Sequence, residues 1–189
     1  MKKITIATLL FTFAATPAMA DGFYGALDLG QSSGKDICTG LPAGVTGCKD
    51  TGTLFRGAVG TQITPMWGAE VSYGSYGKGS AGTLGPLSLD WEASGLQVSG
   101  TGTFPLSDVF SLIGKLGIAR TDIKVTANCG GCSVSETSTN LAFGVGAQYD
   151  FTKSIAIRAQ YEDLGTVGNA NTTGTSKVTL LSAGVVLKF

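Results

Sequence analysis

Apolar and small polar residues trade places at every second position along most of this chain. In an extended strand, successive side chains leave opposite faces, so such a period assigns each residue to one of two surfaces. Phe55, Gly57, Val59, Thr61 and Ile63 alternate with Arg56, Ala58, Gly60 and Gln62. Ile155, Ile157, Ala159 and Tyr161 alternate with Ala156, Arg158, Gln160 and Glu162. The same period recurs from Phe23, Trp67, Leu96, Phe110, Leu141 and Leu181. No segment keeps a period of 3.6 over a helix length. The pattern predicts eight strands of roughly ten residues each.

The connections follow an order of their own. Three are tight: "TPM" after Ile63, "PLSD" after Phe104 and "DFTK" after Tyr149. The other four, near residues 32–52, 77–90, 124–138 and 165–175, are long and rich in Gly, Ser, Thr and Asn. Short and long alternate without exception, as an up-and-down barrel with short turns at one end and long loops at the other requires. The expected fold is all-β, an eight-stranded antiparallel up-and-down transmembrane β-barrel.

The chemistry of the two faces decides between water and lipid. A soluble barrel hides its apolar face and shows a polar one. Here one face carries aromatic and aliphatic residues, and the other carries small residues, Gln, Ser, Thr and opposed charges. An eight-stranded interior has room only for side chains, and the polar set suits it. The apolar set then faces hydrocarbon. Closure is obligatory there, because an open strand edge in lipid leaves backbone groups without partners.

The start of the chain agrees with a membrane destination. Lys2 and Lys3 precede an apolar run from Ile4 to Ala15 and then Pro17-Ala18-Met19-Ala20. This is the pattern of a signal peptide over residues 1–20, leaving a single barrel domain over 21–189. Loss of the two lysines takes the formal net charge from 0 to −2, since no acid leaves with them. So mild a balance offers nothing to nucleic acid. With 29 Gly but 5 Pro and few charges, disorder is not expected.

The chain closes on "VTLLSAGVVLKF", an alternating strand whose last residue is aromatic. This stretch resembles the C-terminal signature of Gram-negative outer-membrane proteins, which the barrel-assembly machinery reads. Phe189, Leu187 and Val185, with Ala183 and Leu181, stand at the positions that carry that signal. "FYGALDLGQS", "GAVGTQITPMWGAEVSYG", "GTFPLSDVFSLIGKLGIARTD" and "FGVGAQYDFTKSIAIRAQYEDLG" resemble strands one, two–three, four–five and six–seven of the OmpA-like transmembrane domain. The resemblance implies an outer-membrane location, a lipid and lipopolysaccharide environment, no cofactor, and a monomer. Many OmpA-like proteins continue into a periplasmic peptidoglycan-binding domain; here the sequence stops with the barrel, and tethering by that route is not expected.

The inward set includes Asp28, Arg56, Glu70, Lys115, Arg158, Glu162 and Lys188. Buried charges must pair, since removing one partner costs roughly 3–5 kcal/mol. Glu70 and Arg158 lie at similar distances from their short turns on opposite strands and are expected to meet. Arg56 and Lys115 are expected higher, towards Glu162. Such a network plugs the lumen. The resemblance to OmpA offers an alternative, a gate in which Glu70 exchanges between Arg158 and Lys115. Above the outward apolar stretch of the fifth strand, Arg120 and Lys124 are candidates for lipopolysaccharide phosphates or are ordinary solvated charges.

Four cysteines fall in two long connections: Cys38 and Cys48, Cys129 and Cys132. Exported thiols oxidise, and three connectivities are possible. Pairing within each loop, Cys38–Cys48 and Cys129–Cys132, is favoured over a zinc site or a redox pair. No metal ligand set is expected.

For function the sequence supports a structural or surface-interaction barrel, with loops suited to host or phage ligands. A narrow gated channel for small solutes or ions is the alternative. Catalysis is not expected: a Ser-His acyl hydrolase needs a base beside its nucleophile, and the chain has no histidine.

Overall fold

The structure, a computed structural model, describes residues 22–35, 38, 46–84, 87–128, 132–169 and 174–189. The expected signal peptide and Cys129 lie outside the described residues. Eight strands follow in chain order: β1 Phe23–Lys35, β2 Thr51–Gln62, β3 Trp67–Leu84, β4 Leu87–Pro105, β5 Phe110–Ala127, β6 Ser133–Asp150, β7 Ile155–Asn169 and β8 Gly174–Lys188. Each pairs antiparallel with the next, and β1 pairs with β8 to close the barrel. The seam runs from Tyr24↔Lys188 to Lys35↔Lys177. Beyond it, the Phe189 N–H donates to the Phe23 carbonyl at 2.9 Å. No sheet edge is left along the seam, which a bilayer demands.

The three tight turns share one local device. The Thr64, Ser107 and Thr152 hydroxyls accept the N–H groups of Trp67, Phe110 and Ile155 at 2.9, 3.1 and 2.9 Å. Each hydroxyl satisfies the first donor of the outgoing strand, which is why Ser and Thr suit these positions. These turns define one end of the barrel, here the turn end.

The opposite end differs from the sequence expectation. Residues 77–84 and 87–90, expected within a long loop, are strand. β3 and β4 remain paired up to Leu84↔Leu87. Likewise β5 and β6 pair to Thr126↔Ser133 within the span expected as the third loop. Gly, Ser and Thr are common in loops, but an antiparallel ladder is held by backbone groups and tolerates them. Register shifts between Ser75 and Gly77 and between Ser80 and Gly82 let β3 continue. Each such bulge adds a residue, so the facing phase changes: Tyr76 is buried in phase with Ser72 and Gly74, while Lys78, two residues on, faces out.

The two faces separate as the alternation requires. Val59 is 65 % exposed and Leu141 71 %, with Leu27, Leu116, Phe143 and Leu181 similarly bare on the outer wall. A continuous apolar belt of this kind has no place in water. Phe23, Trp67, Phe104, Phe110, Tyr149 and Phe189 are all exposed near the turn end. There Tyr149 and Phe151 pack edge to face with centroids 5.0 Å apart, the arrangement of an aromatic girdle.

Candidate functional site

Three cations and three carboxylates meet in the lumen, all nearly or fully buried: Arg56, Lys115 and Arg158 with Asp28, Glu70 and Glu162. Each comes from an inward position of the alternation, on β1, β2, β3, β5 and β7. Arg158 is the most connected. Its Nε and Nη2 donate to the two Asp28 oxygens at 2.9 and 2.8 Å, a bidentate fork. Its Nη1 donates to Glu70 Oε2 at 2.6 Å. Lys115 Nζ donates to Glu70 Oε1 at 2.6 Å. Arg56 Nε donates to Asp28 Oδ2 at 3.1 Å, and Arg56 Nη2 lies 2.5 Å from Glu162 Oε1. Glu162 Oε1 is 4.0 Å from Lys115 Nζ, which joins the two halves.

The layer carries three positive and three negative charges, so its formal charge is zero. Forked guanidinium–carboxylate bonds are strong in a poorly solvated interior because both partners are ionised and aligned. Room for them comes from small residues on neighbouring strands. Gly184 pairs across β8 with both Asp28 and Arg158. A Cβ there would collide with Asp28 Oδ1 and the Leu27 carbonyl oxygen.

Glu70 and Arg158 lie together across the lumen, and Arg56 adjoins Glu162. Glu70 stands between the two cations of the expected exchange, Lys115 and Arg158. Its two oxygens hold both at once. Asp28, left without a partner by sequence reasoning, is shared by two arginines.

Neutral members were missed. Tyr24 donates its hydroxyl to Glu70 Oε2 at 2.9 Å. Gln97 Nε2 donates to Glu162 Oε2 at 3.1 Å, and Gln160 Oε1 accepts from Arg56 Nη2 at 3.2 Å. Their inward phase was visible. A buried amide or phenol at a charged level is the signal that could have found them.

Lys188, also inward, pairs with Asp150 at 2.7 Å near the turn end. Arg120 and Lys124 are exposed on the outer wall of β5, beside Leu96 and Glu92 of β4 respectively. Phe189, Leu187 and Val185 all face outward and are exposed. Cys38 and Cys48 form a disulfide with Cα atoms 5.8 Å apart. Cys132 is disulfide-bonded as well. Among the described residues, no group of three or more His, Cys, Asp or Glu side chains could hold a metal ion.

A family model described as the outer membrane protein beta-barrel domain matches residues 5–189. Outer membrane protein A of Salmonella typhi is 32% identical over 204 residues, which cover 100% of this chain and 56% of that protein. Its counterpart from Shigella flexneri is 31% identical over 195 residues, covering 91% and 54%. The chain therefore spans about half the length of the curated relatives it matches.

Solved structures share the fold at lower identity. Ail, the attachment invasion locus protein of Yersinia pestis, has a TM-score of 0.59 at 22% identity, over 90% of this chain and 100% of that one. Neisserial surface protein A has a TM-score of 0.59 at 20% identity, over 91% and 100%. The N-terminal beta-barrel domain of Pseudomonas aeruginosa OprF has a TM-score of 0.60 at 14% identity, over 90% and 100%.

Proposed function

The chain belongs to the outer membrane protein beta-barrel family and lies in the cell outer membrane, and from that premise we propose that it is a closed, non-catalytic barrel with a structural or surface-interaction role. The observation that carries this reading is the filled lumen, an ionic layer with a packed cluster of buried side chains beside it. The layer's six charges pair with one another across the lumen and leave no net charge to draw an ion through. The apolar outer wall supports a stable place in lipid, and the extended hairpins opposite the turns support presentation of a surface to the outside. By the usual orientation of the family, the turn end faces the periplasm.

Within this reading residues 1–20 export the chain. Phe189, Leu187 and Val185 present the outward column of β8 to the barrel-assembly machinery. Arg120 and Lys124 meet lipopolysaccharide phosphates, and the hairpin tips meet host or phage ligands. The protein works as a monomer without a cofactor. Two measurements test the core of it. Liposomes carrying the protein should swell in small sugars no faster than protein-free liposomes, and a deletion strain should gain detergent sensitivity or lose surface binding. Rapid swelling, or a deletion strain indistinguishable from its parent in both traits, refutes it. Lipid A mass spectra that change with the protein present would instead mark an enzyme.

One observation favours a second reading, a narrow gated channel. Glu70 sits between Lys115 and Arg158, each at 2.6 Å, so a small shift could release either. Glu70→Ala in a planar bilayer decides: conductance equal to the wild type ends that reading.

A further inference from the structure

The lumen changes character along its axis. From the turn end, the inward residues of β7 are Ala156, Arg158, Gln160 and Glu162, and then Leu164 and Val167. On β2 they are Ala58, Arg56 and Leu54 in the same direction. On β5, Lys115 is followed by Gly117 and the buried Ala119. On β8, Ser182 is followed by Leu180 and Val178. β1 stays small and polar, with Gly30 and Ser32 beyond Asp28, β3 passes through Ser72 and Gly74 before Tyr76, and β5 adds a buried Thr121 beyond Ala119. The apolar side chains converge with Tyr76, Trp91 and Ala93 into one buried cluster on the hairpin side of the charges.

Trp91 is the largest plate in this cap, and it is held from outside. Its Nε1–H donates to the Lys49 carbonyl at 3.1 Å. Lys49 follows Cys48, one half of the disulfide, and its own N–H donates to the Ser80 carbonyl at 2.8 Å. Gly79 leaves space for the indole; a Cβ there would lie 2.6 Å from Nε1.

The other side of the charges is open. A cavity of about 560 Å³ enters from the turn end, and Tyr24, Glu70, Lys115 and Arg158 form part of its lining. The ionic layer thus has a roomy vestibule beneath it, lined by polar and apolar side chains alike, and a packed, mainly apolar cap above it. The two layers resist ions differently. Charged side chains can re-pair around an entering ion and supply ligands to it. An apolar constriction supplies none and excludes water as well.

We propose that the permeability barrier of this barrel is the apolar cap built around Trp91, Tyr76, Leu54, Leu164 and Leu180. The ionic layer is the closed inner end of a blind vestibule entered from the periplasm. This rests on the closed-barrel reading and names the part of the lumen that closes it.

Planar-bilayer conductance of the full refolded chain tests it with three proteins beside the wild type. The first is the charge-balanced pair Glu70→Gln with Lys115→Met. The second adds Trp91→Ala and Leu180→Ala to that pair. The third adds Leu180→Ala alone, a smaller truncation for use if the larger one does not yield a folded barrel. Folding is scored by resistance to SDS without heating.

The charge-balanced pair should conduct no more than the wild type. Truncating the cap in that background should raise the conductance about tenfold or more, as loss of a dewetted constriction does. With a closed wild type, opening by the charge-balanced pair alone overturns the cap and leaves the closed-barrel reading standing. A folded cap variant that stays closed also overturns it. A wild type that conducts freely overturns both.

Discussion

Arg158→Met offers the sharpest measurement of what the ionic layer contributes. The arginine makes three charge-assisted hydrogen bonds, two to Asp28 and one to Glu70, at 2.9, 2.8 and 2.6 Å. Methionine fills much of the same volume without a charge, so packing is largely kept. What remains is a buried layer with one excess negative charge. Removing one partner of a buried pair costs about 3–5 kcal/mol, which is roughly a 140- to 3,700-fold change in the folding equilibrium at tenfold per about 1.4 kcal/mol. A second change isolates the cause. Glu70→Gln in the same chain restores neutrality while the amide oxygen still accepts from Lys115. The double variant should recover more than half of the loss, because the cost lies in the uncompensated charge rather than in absent bonds. Guanidinium unfolding in lipid vesicles, followed by tryptophan emission, reads both. Trp67 reports the exposed outer wall and Trp91 the buried cap. Were Arg158→Met to cost under about 1 kcal/mol, or the double variant to lose the sum of both single losses, charge balance would not be what holds this layer together.

Three other outcomes follow from particular contacts. Gly184→Ala should cost about 1–3 kcal/mol, since its Cβ has no room beside Asp28, and a neutral effect in the same unfolding assay would count against that crowding. Val59→Arg on the outer wall should cost about 2–4 kcal/mol in vesicles, while Thr53→Arg, towards the hairpin end of the same strand, should cost about 0–1 kcal/mol; equal losses would contradict the placing of the belt. Replacing Cys38 and Cys48 by serine frees a loop of sequence separation 10, which should lower stability by roughly 2–3 kcal/mol, and Trp91 emission should shift to the red as its Lys49 partner loosens. An unchanged emission maximum would separate the disulfide from the cap.

Much of the fold was visible in single residues. Arg56 between Phe55 and Gly57, or Glu162 after Tyr161, could be assigned to the lumen from the alternation because a strand has no third direction for a side chain. The strand character of residues 77–84 and 87–90 was hidden for the opposite reason. Their composition suits a loop, yet ladder hydrogen bonds come from the backbone, which is the same in every residue, and the shifts at Ser75/Gly77 and Ser80/Gly82 carry no sequence signature strong enough to see. Asp28 shows where the site became illegible. Its inward phase was clear, but its two arginines lie 28 and 130 residues away in the chain.

The order of the residues by itself determined which side chains meet lipid and which meet the lumen, how many strands there are, and where the tight turns fall. These are local matters, decided by a period of two and by what hydrocarbon accepts. The closed structure decided which charges touch and at what height the lumen turns from ionic to apolar. Contacts across a lumen depend on how far every strand is staggered and tilted against its neighbours, and that sum is settled only when β1 and β8 join.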